Sequence, residues 1–201
     1  MASSASNTEA EKADEEAIVL PKLKYGYRTV PLEWPELVQI IQVEQDLAKL
    51  SRSVEQQTSY AIYMRDLKRK WSSVYHFILH SKFGFAKRQV AGTGNNEGAL
   101  VWESYPPVSD IKEPQKALVE NDFPYYNAPG IQHYILWKIG GDVTDQEIEE
   151  AGQDLRAKLG DVCGVVHWKN PPHLKSLPDI DHVHILVHRQ TTSTSGSDPS
   201  D

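Results

Sequence analysis

The sequence has a single cysteine, Cys163, among 201 residues. One cysteine cannot form a disulfide within the chain, which excludes a disulfide-stapled secreted domain and fits a reducing compartment. No apolar run approaches the roughly 20 residues of a membrane-spanning helix, and the first residues lack the basic and apolar regions of a secretory signal. We therefore expect an intracellular protein without a membrane partner, in the cytoplasm and with the nucleus as a second compartment.

Positive charge is also scarce, with 21 Lys and Arg against 28 Asp and Glu. Most of the acidic excess lies in residues 1–20 and 190–201, and the body between them is nearly neutral. Because no broad basic excess is present, we expect no nucleic-acid partner. The two polar ends are predicted to be disordered tails, and residues 21–189 are predicted to form one domain.

Motifs for cofactors and metals are missing. The sequence contains no HExxH and no CxxC, and no clustered carboxylate supports a metal site. The segment G-T-G-N-N-E-G, residues 92–98, is rich in glycine, but its spacing fits neither nucleotide fingerprint and no GK[ST] follows. This segment is therefore predicted to be a loop or a hairpin turn, and no cofactor or metal ligand is assigned.

Apolar residues at helical spacing dominate residues 30–85. Pro35 suits the first position of a helix. A second, longer helix is predicted from apolar residues at steps of three and four between Tyr60 and Leu79. A short strand is predicted at 99–103.

Strand patterns dominate the second half of the chain, at residues 117–120, 132–138, 163–168 and 181–189. Between the second and third of these strands, Thr144 and Glu147 have the spacing of a capping box, and Gly160 suits the end of the helix they start. The predicted fold class is α+β, with a helical unit at about 30–85 packed on an antiparallel sheet that has one crossing helix, at 99–189.

The last predicted strand, D-H-V-H-I-L-V-H-R at 181–189, carries three of the eight histidines. Alternate residues of a strand share a face, so His182, His184, Leu186 and His188 are expected on one side of the sheet. Two histidines on one face, after the polar segment N-P-P-H-L-K-S, favour a ligand site over a solvent-facing strand. His188, at the strand end, is interpreted as an exposed terminal residue.

Three blocks resemble the fungal N-acetylglucosamine-induced protein 1 family. They are N-D-F-P-Y-Y-N-A-P-G-I-Q-H-Y-I-L-W, H-W-K-N-P-P-H-L-K-S-L-P and D-H-V-H-I-L-V, and the resemblance extends over about residues 30–189. It implies a connection with amino-sugar metabolism, and names no reaction.

Residues 116–189 also resemble, more distantly, the histidine-triad domains. The shared order is a strand, a Pro-Gly turn, a strand beginning with His, a helix, a strand, a polar loop and a final strand of alternating histidines. The resemblance implies a histidine-triad-like sheet in which His184 is the nucleophile at phosphorus and His182 holds a phosphate oxygen. The third histidine of that pattern is Leu186 here, which favours binding over catalysis.

Further candidate ligand-binding residues come from the loop and from the neighbouring strand. Asn170, Lys175 and Ser176 are expected to neutralise the charge of the phosphate. His133 is either a ligand-binding or a structural histidine, and Asn121 either contacts a sugar or forms a turn.

The predicted function is binding of a phosphorylated small molecule, namely a nucleotide, a nucleotide-sugar or a sugar phosphate. The enzyme version is hydrolysis or nucleotidyl transfer at phosphorus. The alternatives are a non-catalytic regulatory or interaction protein of amino-sugar metabolism, and a metal site in which His133, His167 or His173 joins His182 and His184. The resemblance to histidine-triad domains also implies a homodimer, unless the additional helical half covers the sheet edge through which such domains pair.

Overall fold

The computed structural model describes residues 18–175 and 177–190. The predicted tails at 1–20 and 190–201 lie almost entirely outside the described residues, and so does the candidate residue Ser176. Within the described part of the chain, no helix is long and apolar enough to cross a membrane.

The first part of the chain is helical, as predicted. Its helices are α1 at Trp34–Val38, α2 at Val54–Lys70 and α3 at Val74–Phe83, with a π-helical turn at Gln39–Glu44 and a 3-10 turn at Leu47–Lys49. Pro35 stands in the first turn of α1, as expected.

The single helix predicted across Tyr60–Leu79 is wrong, because the chain breaks after Lys70 into two helices. Trp71 forms a bridge with Trp102 of a neighbouring strand. Ser73 then caps α3, since its hydroxyl accepts the His76 backbone N–H. A serine at the N-cap favours a new helix start, and the 3.6-residue spacing on either side hid this break.

A two-stranded hairpin follows the helices. Strand β1 at Ala86–Ala91 pairs with β2 at Leu100–Tyr105, and a 3-10 turn at Gly94–Asn96 connects them. The glycine-rich segment is therefore the predicted hairpin turn. Strand β1 was not predicted, because it is almost wholly exposed and shows no alternation of apolar and polar residues.

The second sheet has four antiparallel strands in the order β3-β4-β6-β5. They are β3 at Gln115–Glu120, β4 at Ile131–Ile139, β5 at Val162–Trp168 and β6 at Asp181–Arg189. Helix α4 at Asp145–Leu159 connects β4 to β5 and starts with the predicted capping box of Thr144 and Glu147. The mixed helix and antiparallel-sheet architecture is thus confirmed.

Helices cover both faces of the four-stranded sheet. On one face α4 packs its apolar stripe against residues such as Leu136, Val183 and Ile185. On the other face the N-terminal helical layer packs in two clusters, one around Leu186 and Trp168 and one around Ile135 and Trp137. Strand alternation places His182, His184 and Leu186 on this second face, so the histidines lie beneath helices and not against bulk water.

Gly164 of β5 and Gly152 of α4 form a matched pair for testing how Trp34 of the helical layer packs against the sheet. A methyl group at Gly164 would overlap the indole of Trp34, which stacks on His188 at 5.1 Å between ring centroids. A methyl group at Gly152 meets nothing within 4 Å.

We expect Gly164→Ala to lower the free energy of unfolding by about 1–3 kcal/mol, because Trp34 must move away from the sheet. Gly152→Ala should raise it by about 0.5–1 kcal/mol, since alanine is the better residue inside a helix. Urea unfolding followed by tryptophan fluorescence measures both. Equal effects of the two substitutions would contradict the seating of Trp34 on Gly164.

Candidate functional site

The site begins with two neighbouring strands, β4 and β6. His133 of β4 lies directly opposite Leu186 of β6 in the antiparallel register. Its ring reaches sideways to His184, and the distance from His133 Nε2 to His184 Nδ1 is 3.0 Å. Leu186 stands where the histidine-triad pattern has its third histidine. A histidine of the adjacent strand, His133, therefore lies beside this position.

An asparagine side chain lies at each end of this histidine pair. Asn121 Nδ2 is 3.2 Å from His133 Nδ1, and Asn170 Nδ2 is 3.1 Å from His184 Nε2. We call Asn121, His133, His184 and Asn170 the polar chain. All four were predicted site residues, and the fold joins them into one hydrogen-bonded series.

The outer ends of the polar chain are anchored by two fixed donors. The side-chain oxygen of Asn121, Oδ1, accepts the Phe123 backbone N–H at 3.0 Å, and the side-chain oxygen of Asn170, Oδ1, accepts the Trp168 indole N–H at 3.0 Å. Because both donors lack any acceptor function, they set which way each amide is turned.

Aromatic rings enclose the two histidines of the polar chain. Trp168 stacks on His184 with 4.9 Å between ring centroids, and Tyr125 stacks on His133 at 5.3 Å. Burial, and secondarily the positive charge of Arg52, lowers the pKa of His133 to about 3. Burial, followed by the neighbouring His133 and His182, holds the pKa of His184 well below its ordinary value. Both rings are therefore neutral at physiological pH.

His182 lies beside this series but belongs to a different hydrogen-bond arrangement. Its Nδ1 is 2.9 Å from the Ile180 carbonyl oxygen and must donate, because a carbonyl only accepts. Burial lowers the pKa of His182, so its other nitrogen, Nε2, carries a lone pair. No partner for Nε2 occurs in the part of the chain that the structure describes.

A cavity of about 300 Å³ lies between α2, α3 and this face of the sheet. His182, His184 and Asn121 contribute to its floor, together with Trp137. The aromatic side chains that line it are Tyr60, Tyr63, Phe77, Phe123 and Trp137. An apolar, aromatic cavity with a few polar groups converging on it is typical of a small-molecule site.

Arg52 is a charged residue of the cavity whose hydrogen-bond partners are neutral. Its guanidinium donates to the Phe123 carbonyl oxygen at 2.7 and 3.1 Å and to Gln57 Oε1 at 3.2 Å, and it lies 4.4 Å above the Tyr60 ring centroid. Among residues 18–175 and 177–190, no carboxylate is within salt-bridge distance of Arg52. Lys82, by contrast, is paired with Asp122 at 2.8 Å.

Sequence reasoning missed Arg52. Its place in the cavity depends on contact with Phe123, which is 71 residues away in the chain. No local spacing in the sequence signals such a contact.

Lys175 lies away from the cavity. Its ammonium donates to Asp181 Oδ1 at 3.1 Å, and Lys169 donates to Asp181 Oδ2 at 2.8 Å. Asp181 belongs to the sheet face that α4 covers, opposite the histidines. Burial alone would raise the pKa of Asp181, but the hydrogen bonds from Lys169, from the Val143 backbone N–H and from Lys175 lower it to about 2. The structure therefore brings Asn170, but not Lys175, to His184.

The described residues contain no group of three or more His, Cys, Asp or Glu side chains arranged to hold a metal ion. His133 and His184 face each other at hydrogen-bond distance, while His167 and His173 do not contribute to the cavity.

The buried neutral histidines should make the protein sensitive to mild acid. In the unfolded chain a histidine has a pKa near 6.5, so the unfolded state binds more protons below that pH than the folded state does. Stability should therefore fall as the pH drops from about 6.5 to 4.5, by up to about 1.4 kcal/mol per pH unit for each of the lowered histidines.

Urea unfolding at several pH values checks this slope. The substitution His133→Gln should make the slope shallower, whereas His167→Gln, at an exposed position of β5, should leave it unchanged. Equal slopes for wild type and His133→Gln would contradict a neutral buried His133.

Comparisons with known proteins place the chain in a family. No curated protein matches the chain. A solved crystal structure, of a protein called HTC1, is 20% identical in sequence, with 82% of this chain and 89% of that chain covered and a TM-score of 0.49. The model of the family described as Protein of unknown function (DUF3605) matches residues 33–188. Since this match covers most of the chain, the protein belongs to the DUF3605 family.

Proposed function

We propose that this protein binds a phosphorylated small molecule in the cavity between the N-terminal helices and the histidine-bearing face of the sheet. The ligand classes are a nucleotide, a nucleotide-sugar or a sugar phosphate. Arg52 is assigned to the anionic group, and the aromatic walls to the remainder of the molecule.

The observation that carries this proposal is the unpaired charge of Arg52. A largely desolvated guanidinium is costly unless an anion or several acceptors face it. Here one carbonyl and one amide oxygen take its hydrogens, and the charge itself is not neutralised by any described carboxylate. Arginine binds phosphate oxygens well, because its planar fork of N–H groups matches them.

The remainder of the cavity supports a ligand with a flat ring or a sugar. Tyr60, Tyr63 and Phe123 offer faces on which a base or a sugar can stack. Asn121, whose amide lies beside His133, contributes to the same floor. The aromatic lining thus complements a ligand that is partly apolar, whereas an inorganic anion would need none of it.

A second candidate function is hydrolysis or nucleotidyl transfer at phosphorus with His184 as the nucleophile. That reaction needs an accessible lone pair on one ring nitrogen. Each nitrogen of His184 already has a partner, His133 at Nδ1 and Asn170 at Nε2. We therefore favour binding without a covalent step at His184.

The wider setting is also a proposal. The histidine-triad-like arrangement and the connection with N-acetylglucosamine-induced proteins both come from sequence resemblance. Together they suggest a cytoplasmic or nuclear protein that senses or regulates amino-sugar metabolism through its phosphorylated ligand. Pairing of two chains into a homodimer belongs to the same proposal.

Loss of the Arg52 charge should weaken binding. In a thermal-shift and calorimetric panel of nucleotides, nucleotide-sugars and sugar phosphates, at least one ligand should bind, and Arg52→Gln should reduce its affinity about 10-fold or more, as expected for a charged hydrogen bond. Arg28→Gln is the matched control, because Arg28 pairs with Glu36 at 2.9 Å outside the cavity.

Lys175→Gln extends this test to the loop residue predicted from the sequence. Its charge is held by Asp181 on the opposite face, so the affinity should not change. The binding proposal would be abandoned if no ligand shifted the melting temperature at millimolar concentration, or if Arg52→Gln and Arg28→Gln had the same effect on affinity.

Phosphorus NMR separates binding from catalysis. With the ligand that binds best, wild type and His184→Gln should both leave the phosphorus signals unchanged over hours, because no nitrogen of His184 is available for attack. Turnover by wild type that disappears in His184→Gln, with the melting temperature retained, would establish the catalytic function instead.

A further inference from the structure

The polar chain contains more donor hydrogens than it has hydrogen-bond contacts. The series has five contacts, from the Phe123 backbone N–H at one end to the Trp168 indole N–H at the other. Each neutral imidazole brings one hydrogen, and each amide brings one to whichever of its two contacts its nitrogen faces. The hydrogens that point into the series come from Phe123, Asn121, His133, His184, Asn170 and Trp168.

Six hydrogens therefore enter five contacts. Turning an amide over moves the surplus to another contact without removing it, because its oxygen and its nitrogen merely exchange places. Protonating a ring would add a seventh hydrogen. One hydrogen of the polar chain consequently has no acceptor within the series, and leaving it buried in this state is unfavourable.

The cavity is where an acceptor can reach this surplus hydrogen. Two members of the polar chain, Asn121 and His184, line the cavity. An acceptor atom of a molecule bound in the cavity would take the surplus hydrogen. Five hydrogens would then remain for the five contacts, one in each.

A second donor without an acceptor lies on the same floor. Trp137 is 6% exposed and lines the cavity, and its indole N–H has no partner among the described residues. Trp137 is the cross-strand neighbour of His182, and their ring centroids are 4.7 Å apart. His184 lies two residues further along β6 than His182, with 5.4 Å between ring centroids.

The floor thus presents three neighbouring groups, and His182 is adjacent to both of the others. The Trp137 N–H is a donor, His182 Nε2 is an acceptor, and the surplus hydrogen of the polar chain, which His184 brings to the cavity, is a donor. The complement of these three groups is an acceptor, a donor and an acceptor, which is the carbonyl–N–H–carbonyl edge of a cyclic imide.

We infer that the ligand is a phosphorylated nucleoside whose base has an imide edge, as in uracil or thymine, with its N–H on His182 Nε2 and a carbonyl toward each neighbour. This inference rests on the proposed function, because it leaves the phosphate to Arg52. The flat base also suits the aromatic walls formed by Tyr60, Tyr63 and Phe123.

Cytosine provides a nearly isosteric test. Its ring nitrogen carries a lone pair where uracil has the N–H, so it would face the lone pair of His182 Nε2. A site built to hydrogen-bond one group rejects an analogue that lacks it, because its buried polar groups are left unpaired. Calorimetry with the full chain should therefore show uridine 5′-monophosphate binding about 10-fold or more tightly than cytidine 5′-monophosphate and ribose 5-phosphate.

The variant Trp137→Phe supplies the second measurement. This substitution keeps a six-membered aromatic ring on the floor of the cavity. It removes the five-membered ring of the indole, and with it the N–H donor. The affinity for uridine 5′-monophosphate should fall about 5-fold or more, whereas that for ribose 5-phosphate should stay the same. Circular dichroism and the melting temperature verify that the variant is folded.

The outcomes distinguish the imide inference from the proposal beneath it. Equal affinities for the uridine and cytidine monophosphates, with binding still dependent on Arg52, would overturn the imide edge and keep the phosphate site. Absence of binding by uridine 5′-monophosphate, with another ligand of the panel bound through Arg52, would overturn the imide inference alone, and absence of binding by every ligand of the panel would overturn both.

Discussion

The hydrogen bond between His133 and His184 joins the two central strands of the large sheet at the point where the cavity meets the core. Burial beneath aromatic side chains and the helical layer lowers the pKa of both rings, so both are neutral at physiological pH. The pair therefore acts as a neutral, fixed link. It connects Asn121 on one side with Asn170 on the other, and the amides of both are oriented by the Phe123 and Trp168 donors.

This link also explains why the helical layer is needed. A histidine-bearing sheet face in water would titrate near pH 6.5 and would present mixtures of charged and neutral rings. Helices α2 and α3 lie over the face and leave a cavity of about 300 Å³, so the rings remain neutral while a small molecule still has space. Arg52 belongs to the same helical layer, since it immediately precedes Ser53, the N-cap residue of α2. Burial of the histidines and delivery of the positive charge are thus two results of one packing arrangement.

Much of the β-rich half could be predicted from the sequence, because its signals are local. Alternating apolar residues, the Thr144 capping box and Gly160 each specify structure within a few residues of themselves. The break at Trp71 could not be predicted in this way, since it depends on pairing with Trp102. Strand β1 has no apolar face, and its existence depends on its partner β2.

The candidate site shows the same division between local and long-range information. Strand periodicity correctly places His182 and His184 on one face and Asp181 on the other. Periodicity within one strand could not show that His133 stands opposite Leu186, because that depends on the register between β4 and β6. The charge of Lys175 was assigned to the phosphate because its loop resembles the polar loop that precedes the last strand of histidine-triad domains. In the fold Asp181, on the sheet face opposite the histidines, holds the Lys175 ammonium.

The position of Leu186 follows from this register. Its side chain is fully buried among Leu37, Ile40 and Trp168, against the helical layer. An imidazole at 186 would place polar nitrogens among these apolar side chains, which is costly unless each finds a hydrogen-bond partner. With Leu186 closing the core, His184 is supported by His133 from the side, and its second nitrogen is occupied by Asn170. A sheet arranged in this way holds its histidines still and neutral, which suits recognition of hydrogen-bonding groups better than attack on phosphorus.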